Sequence, residues 1–466
     1  MSYVLGIPPT IVNLVQSGML EREFHDGLYP ENLYRDEAEF EQWPAGTGAE
    51  LYMSKPGLIT PKMTPLVPGV DPVPSTVNWE QWRIALERYG DSIDTNMQTS
   101  TVSIEDTFLR NIKQLGLNAG QVLNRLPRNV LHQSYLSGNT CLVDAGAAID
   151  VQIHLASLNG FSDLILVGTD TKPTAVSATH PLPISIGIGA ALIVRNVIAV
   201  LPDDATDPNG PGWALLSVAL GAVFAARTPV ISAYASQILR VGGGLTVDAI
   251  GAADTFVMQN AIVASSLLRQ DHVPPHEDGF YHAHIPPTVV AQAFSDVPFQ
   301  RLFTGLPNAE EIKKGVLGTI GRVKFIENSD CPIRSLGNVG TLTATGLTGA
   351  LYAKDVGADV TNNAGIDIGR VLVTGKGSLY ERGLDEGKFV TEAGITGKVK
   401  DFEAVQNGGM TVQLDRIKLI LRAPVNRLQD EVAATWSCST GFAAPSDACS
   451  GGSARWKRAK IIECAI

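Results

Sequence analysis

The chain has 466 residues, enough for two or three domains with a large buried core and no need of disulfide or metal staples. Five cysteines without a CxxC spacing argue against a zinc ribbon and a disulfide framework, and favour a reducing compartment. Lys and Arg number 36 and Asp and Glu 47, and the net charge of −11 argues against direct recognition of nucleic acid. The apolar N-terminus lacks a basic region and is broken by two prolines, which argues against a signal peptide, and no membrane span is expected.

The first hundred residues predict an arm followed by a protruding loop. Residues 1–45 are rich in acids with little sign of a core of their own, so we expect an extended N-terminal arm. Residues 46–100 contain prolines at positions 56, 61, 65, 68, 72 and 74. Because these prolines exclude a helix or a central strand, and Trp82 and Ile84 then alternate with polar residues, the segment predicts a long two-stranded loop.

Residues 101–145 carry the clearest helical pattern. Ser103 with Asp106 resembles an N-terminal cap, and apolar residues then recur at helical spacing. Gly116 interrupts the pattern and Pro127 is expected to kink it, but the apolar stripe continues beyond both residues. We therefore expect one long amphipathic helix.

The remainder of the chain alternates β-rich and helical segments. Residues 146–243 predict an inserted β-rich domain, in which the two most membrane-like runs, 184–201 and 212–226, are expected to be buried strands. Residues 244–334 predict a helix and strand part of the body, with helical periodicity from 246 to 270. Residues 335–466 predict strands and turns, as where Ile417, Leu419 and Leu421 alternate with their neighbours.

The stretch "YHAHIPPTVVAQAF" raises the question of a metal site. His282 and His284 flank one residue of a predicted strand, so both imidazoles project from one face and could bind zinc. A site needs further ligands, and the nearby candidates lie in a proline-rich loop: His272, His276, Glu277 and Asp278. Packed or hydrogen-bonded strand histidines are the favoured interpretation, and the proline pair is expected to mark the strand end and a helix start.

Other possible sites are weaker. "RVGGGL", residues 240–245, lacks a dinucleotide-binding spacing and predicts a flexible join. "GKGSLYERGLDEG" brings three carboxylates close in sequence but predicts a solvated turn; they are Glu381, Asp385 and Glu386.

Neither a nucleophile nor a phosphate-binding patch is evident. Cys141 follows His132 by nine residues without an orienting partner. Arg455, Lys457 and Arg458 surround Trp456 and predict a strand with an exposed basic edge. No catalytic, cofactor-binding or metal residue is assigned, no cofactor is expected, and the chain is not expected to be an enzyme.

Four segments together resemble the major capsid proteins of tailed double-stranded DNA phages, whose Hong Kong-type fold is shared with herpesviruses. Residues 115–140 resemble the spine helix and its exit. Residues 278–303 resemble a strand leading into a short helix, and residues 314–332 resemble a "GxIGxxxGVxFxEx" strand, with Arg322 and Lys324 departing from it. "LQDEVAATWSCSTGF" and "ARWKRAKIIE" resemble the C-terminal strand.

The resemblance implies an α+β capsid fold with an N-terminal arm, an extended loop, a long spine helix, peripheral and axial domains, and an inserted β-domain. It implies a structural protein that self-assembles into pentamers and hexamers of an icosahedral shell in the virion. Scaffolding, portal and decoration proteins would be its partners, and the shell would enclose DNA without reading its sequence. Assembly would take place in the host cytoplasm.

Two other functions stay open at this point. One is a metal-dependent hydrolase that uses His282 and His284, and the other is a carbohydrate-binding or adhesive phage surface protein built on the β-rich residues 146–243. Apolar residues that the arm and the loop cannot bury within themselves favour the shell, since neighbouring copies would cover them. They are Leu58, Ile59, Leu66, Val67, Trp79 and Trp82.

Overall fold

The computed structural model describes most of the chain beyond residue 18. The described residues are 19–28, 33–44, 47–56, 62–66, 69, 71–77, 79–96, 107–165, 173–296, 318–336, 341–343, 346–348, 366–384, 403–405, 409–414, 417–422, 431–445, 447 and 457–466. Helices and strands are interspersed along them, which confirms the α+β class. None of the helices in these ranges is long and apolar enough to cross a membrane.

The helices of the described residues are α1 (Met19–Leu28), α2 (Thr107–Leu136), α3 (Met258–Gln270) and α4 (Pro287–Ser295). The strands before α3 are β1 (Ala38–Gln42), β2 (Glu50–Pro56), β3 (Trp79–Ala85), β4 (Glu87–Asn96), β5 (Asn139–Cys141), β6 (Gln152–Leu155), β7 (Asp163–Ile165), β8 (Pro173–Ala175), β9 (Leu182–Ile186), β10 (Ile193–Pro202), β11 (Gly212–Leu216), β12 (Pro229–Ser232) and β13 (Ile238–Arg240). The strands after α3 are β14 (Tyr281–Ile285), β15 (Thr319–Ile320), β16 (Val323–Glu327), β17 (Ile333–Leu336), β18 (Thr341–Thr343), β19 (Gly346–Thr348), β20 (Ile366–Thr374), β21 (Leu379–Gly383), β22 (Glu403–Val405), β23 (Gly409–Leu414), β24 (Ile417–Arg422), β25 (Glu431–Ala443) and β26 (Ala459–Ala465).

The chain divides into two compact units, and the first comprises Met1–Leu51, Ile84–Arg128 and Leu379–Ala443. Its sheet has the order β1-β21-β25-β24-β23-β22, and β4 also pairs with β25 over ten residues. Alternate side chains of β24 and β25, among them Leu419 and Trp436, pack with apolar residues of α1 and α2 in one core. The alternation predicted for β24 is therefore confirmed.

Helix α2 is a single helix of 30 residues, as predicted. It continues through Gly116 and Pro127, which were expected to disturb it. A Cβ atom on Gly116 would lie 2.4 Å from the carbonyl oxygen of Phe24, so glycine allows α1 to pack directly on the backbone of α2. The predicted cap of Ser103 and Asp106 lies outside the described residues.

Part of the predicted arm is helical rather than extended. Phe24 and Leu28 of α1 are buried in the core of the first unit, at 0% and 4% exposure. Tyr34 is also buried, and its backbone N–H donates to Asn124 Oδ1 at 2.8 Å. Phe24 and Leu28 belong to the same buried cluster as apolar residues of α2 and β24. A local sequence pattern does not reveal contacts between segments so far apart in the chain.

The second unit comprises Tyr52–Arg83, Asn129–Ser378 and Ala444–Ile466. One of its sheets has the order β13-β26-β20-β14-β16-β15, with β17 paired to β20. Helices α3 and α4 pack with this sheet in a second core. Strand β14 ends at Ile285 and α4 begins at Pro287, which confirms the predicted change from strand to helix at the proline pair.

Helix α3 begins 12 residues later than the periodicity from 246 suggested, at Met258. Asp254 Oδ2 accepts a hydrogen bond from the Gly251 N–H at 2.8 Å, which closes a turn. Thr255 then forms a β-bridge with Ala465. The backbone before Met258 is therefore committed to a turn and to a strand partner, and the predicted helix start was wrong.

The predicted β-rich domain is a six-stranded antiparallel barrel in the second unit. Its strand order is β5-β12-β9-β10-β11-β6, and a bridge between Leu142 and Leu155 joins the first strand to the last. The Val143 N–H donates to the His154 carbonyl at 2.9 Å across the same seam. The barrel begins at β5, before the predicted start at residue 146, and ends with β12, because β13 pairs with β26 instead.

Candidate assembly surfaces

The two histidines of "YHAHIPP" lie on β14, as predicted. His282 Nε2 is 2.8 Å from Asp278 Oδ2, and its ring stacks on His276 with 4.1 Å between centroids. Burial alone would raise the pKa of Asp278, but hydrogen bonds from His282 and the Phe280 N–H lower it to about 2. His284 is fully buried in the sheet.

The polar groups beside these histidines also contact protein atoms. His276 Nε2 lies 3.2 Å from Thr374 Oγ1, and Lys376 Nζ lies 3.2 Å from Glu277 Oε1. Lys324 Nζ donates to Asp278 at 3.2 Å. These contacts agree with the favoured interpretation of hydrogen-bonded strand histidines and lend no support to a hydrolase site.

The predicted solvated turn at Glu381 is wrong. Glu381 lies on β21 with 2% exposure, and Arg35 Nη2 donates to its Oε1 at 2.8 Å. Arg35 Nε lies 3.1 Å from Oε2, so the pair is bidentate, and Thr440 Oγ1 donates to Oε1 at 3.3 Å. Asp385 and Glu386 lie outside the described residues.

The predicted exposed basic edge at the C-terminus is also wrong. Strand β26 is central, between β13 and β20. Lys457 just before it is buried, and its Nζ donates to the Ser134 carbonyl at 3.2 Å and to Ser137 Oγ at 2.9 Å, at the end of α2. Burial lowers the pKa of Lys457 to about 8. Arg455 and Trp456 lie outside the described residues.

The glycine-rich segment at the end of β13, residues 240–245, was predicted to be a flexible join, but a buried ion pair anchors its first residue. Glu463 of β26 has 0% side-chain exposure and accepts from Arg240 Nε at 2.8 Å and from Arg370 Nε at 3.1 Å. Arg240 Nη1 also donates to the Leu245 carbonyl at 2.7 Å. The arginine that precedes the glycines thus fixes both ends of the segment.

The described cysteines are buried thiols, namely Cys141, Cys331, Cys438 and Cys464. His132, which precedes Cys141 in the sequence, is also fully buried. Neither side chain of this pair is presented to a substrate.

The predicted two-stranded loop is present and is here called the hairpin: β2, β3 and their connection, residues 50–85. One face of β3 is covered, with Glu80 and Trp82 buried, so the prediction that Trp82 is left for a neighbouring copy to cover was wrong. Lys55 of β2 forms an ion pair with Asp447, whose N–H donates to Glu80 Oε1 at 3.0 Å. These contacts fix the two strands to the C-terminal segment of the second unit.

The connection of the hairpin exposes large apolar side chains. Their exposed fractions are 93% for Met63, 71% for Leu66, 77% for Val73 and 50% for Trp79, which opens β3. Leu58, Ile59 and Val67, which were expected to add to this surface, lie outside the described residues. The described part alone provides an apolar surface that the described residues leave exposed.

A second exposed apolar region lies on the barrel. Its most exposed members are Ile149, Val218 and Val223, at 84%, 65% and 78%. Sequence reasoning missed it, because runs 184–201 and 212–226 were interpreted as buried strands. Strands β9, β10 and β11 occupy parts of these runs, but residues 187–192 and 217–226 form connections, so the prediction of buried strands was wrong there. A barrel strand buries only alternate side chains, and the connecting sequences "GIGAAL" and "LGAVFAA" contain no polar residue.

Comparison with known proteins gives similarity to solved structures only. No family model and no curated protein matches the chain. The capsid of cyanophage P-SCSP1u is 10% identical, with 92% of this chain and 87% of that chain covered and a TM-score of 0.44. The Ralstonia phage GP4 capsid is 12% identical, with 89% and 84% covered and a TM-score of 0.42. The cyanophage Pam1 capsid is 9% identical, with 90% and 85% covered and a TM-score of 0.46.

Proposed function

We propose that this chain is the major capsid protein of a tailed double-stranded DNA phage, a structural protein that self-assembles into a closed icosahedral shell. The exposed hairpin is the observation that carries the proposal. Met63, Leu66 and Val73 lie on a connection without helix or strand of its own in the described residues, and remain in water in a monomer. Burying such side chains against neighbouring copies supplies free energy of association at many equivalent contacts.

The order of the elements supports the same proposal. An N-terminal segment, a hairpin, a helix of 30 residues, a β-rich insertion and mixed sheets follow one another, as the resemblance implies. The polar clusters that could suggest catalysis are engaged as ion pairs and hydrogen bonds within the fold, which favours a structural role.

The finer parts of the proposal concern partners and location. The shell consists of pentamers and hexamers, forms in the host cytoplasm, and uses scaffolding, portal and decoration proteins. The net charge of −11 suits a container, because an acidic lining holds DNA without binding it tightly.

The experiment is to examine the purified full-length chain by size-exclusion chromatography and negative-stain electron microscopy. We expect capsomer-sized oligomers or closed particles. A stable monomer at every concentration and salt condition, also when the chain is co-expressed with its phage's scaffolding protein, would contradict the proposal.

A further inference from the structure

One end of the barrel is apolar, and the strand pairing identifies which end it is. Ile186 pairs with Ile193, Pro229 with Cys141, and Leu215 with Gln152, so three connections meet there. They are residues 142–151, 187–192 and 217–228. The chain enters and leaves the barrel at the opposite end, through β5 and β12, so the apolar end is the one away from the barrel's connections to the rest of the second unit.

Large aliphatic side chains are exposed at this end, each about half or more: Ile149 84%, Val151 48%, Ile188 51%, Leu192 47%, Val194 56%, Val218 65% and Val223 78%. Seven large aliphatic side chains exposed to this extent at one end of a barrel are typical of a surface that contacts another protein. We therefore expect a protein surface to cover it.

The apolar end has two differently shaped sides. On one side the turn between β9 and β10 projects; we call residues 187–194 the plug. On the other side a cavity of about 410 Å³, here called the groove, reaches along β6 and β11. Its lining is mixed, with apolar Ile149, Val151 and Trp213 and polar Asp144, Asp150, Gln152 and His154. The strand order places β9 and β10 across the barrel from β5 and β6, so the plug and the groove face in opposite directions.

The chemistry of the two sides is complementary. The plug has the sequence "GIGAALIV" and contains no charged residue. The two carboxylates that line the groove each have a hydrogen bond within the chain, since Asp144 lies 2.9 Å from His154 Nδ1 and Asp150 accepts from the Ala147 N–H at 2.6 Å. An apolar, uncharged group can therefore fill the groove without leaving either acid without a hydrogen bond.

We propose that the groove of one copy receives the plug of the next copy, in a head-to-tail contact that closes into a ring. This rests on the proposed function and deepens it by naming which surface joins the subunits of one capsomer. A contact between two different surface regions forms rings or open chains rather than isolated pairs, and opposite placement of the two regions suits it. A lipid surface is disfavoured, because the plug lacks the basic residues, and the groove carries acids instead.

The first experiment uses charge exchange in the full-length chain. Leu192→Glu in the plug and Ile149→Lys in the groove each place a charge in an apolar contact, so we expect about a tenfold or larger fall in the assembled fraction. The double variant restores assembly, because each new glutamate meets a neighbour's new lysine. Val263→Glu, at a site 43% exposed on α3 and outside the barrel, is the matched control and assembles as the wild type does.

The second experiment is a disulfide cross-link between two introduced cysteines, and it requires that the cysteine variant still assembles. We expect Leu192→Cys with Ile149→Cys to give a ladder beyond the dimer on a non-reducing gel after mild oxidation, and neither single variant to do so.

These results separate the inference from the proposed function. Wild-type particles that form while the charge variants assemble like Val263→Glu, or assembled particles that give no ladder, would overturn the plug and groove contact and leave the shell intact. A wild-type chain that never assembles would overturn the proposed function itself.

Discussion

His154 is held between two carboxylates on the wall of the barrel. Its Nδ1 lies 2.9 Å from Asp144 and its Nε2 2.8 Å from Asp203, and its ring stacks on Trp213 with 4.6 Å between centroids. Partial burial lowers the pKa of His154, but the hydrogen bonds to Asp203 and Asp144 and their negative charges outweigh it and raise the pKa above 6.5. The imidazolium thus joins β6 to the ends of β5 and β10.

His154→Gln is expected to lower the free energy of unfolding by about 1 kcal/mol at low pH, a small loss because both acids are partly exposed. Since the folded pKa is raised, the charged histidine stabilises the fold fully below pH 6.5 and loses this effect as the pH rises through the folded pKa. Denaturant unfolding between about pH 5.5 and 8.5 measures the difference from the wild type, which should shrink with rising pH. The variant without either carboxylate, Asp144→Asn with Asp203→Asn, is the comparison: adding His154→Gln to it should no longer produce this pH-dependent difference.

Arg35 and Glu381 form a buried pair in the first unit. Arg35→Met leaves the Glu381 carboxylate in a site 2% exposed without its cation, so we expect a loss of about 3–5 kcal/mol in unfolding free energy. Adding Glu381→Leu should recover much of that loss, because no charge then remains buried. Thermal and denaturant unfolding measure both.

The exposed pair of Lys376 and Glu277 provides the comparison. Its side chains are 43% and 88% exposed, so Lys376→Met should cost less than about 1 kcal/mol. An Arg35→Met variant as stable as this control would show that the buried pair contributes nothing.

At the scale of elements, the crossing of α1 and α2 depends on Gly116. In an isolated helix alanine is favoured over glycine by about 1 kcal/mol. Here the added Cβ would meet the Phe24 carbonyl oxygen at 2.4 Å, so we expect Gly116→Ala to destabilise the protein by about 1–3 kcal/mol. Chemical denaturation measures the change, and Gln114→Ala on the exposed side of the same helix should be neutral or stabilising.

The sequence predicted elements whose information is local. The long helix follows from apolar spacing, the hairpin from its prolines and the alternation at Trp82 and Ile84, and the turn from β14 into α4 from a proline pair. Alternation at Ile417 likewise identified β24. Each of these patterns is contained in about 30 residues or fewer.

The predictions that were wrong concern residues whose contacts in the fold lie far away in the sequence. Glu381 was expected in solvent because its partner Arg35 lies 346 residues away. Lys457 was expected on an exposed edge because nothing local shows that β26 lies between β13 and β20. The same reason explains α1, whose two buried residues pack against a strand near residue 420. The groove was missed because it needs His154 and Trp213 to meet across two strands.

At the scale of the whole molecule, substitutions in the hairpin should weaken assembly without changing the stability of the folded subunit. The triple variant Met63→Ser, Leu66→Ser and Val73→Ser changes side chains that are 93%, 71% and 77% exposed, so the unassembled chain loses little packing. We expect unfolding of the unassembled chain to shift by less than about 0.5 kcal/mol per site. Assembly should fall steeply, because many copies each lose the same apolar contact.

Sedimentation of particles against free subunits measures this fall, with calorimetry on the free subunit as the measure of folding. The matched control is Thr64→Ser, which alters an exposed polar side chain of the same connection and should assemble as the wild type does. Cooling should weaken wild-type assembly as well, since apolar burial is less favourable at low temperature. A triple variant that assembles like the wild type at every temperature would show that these side chains contact no neighbouring copy. The hairpin would then no longer support the proposed shell.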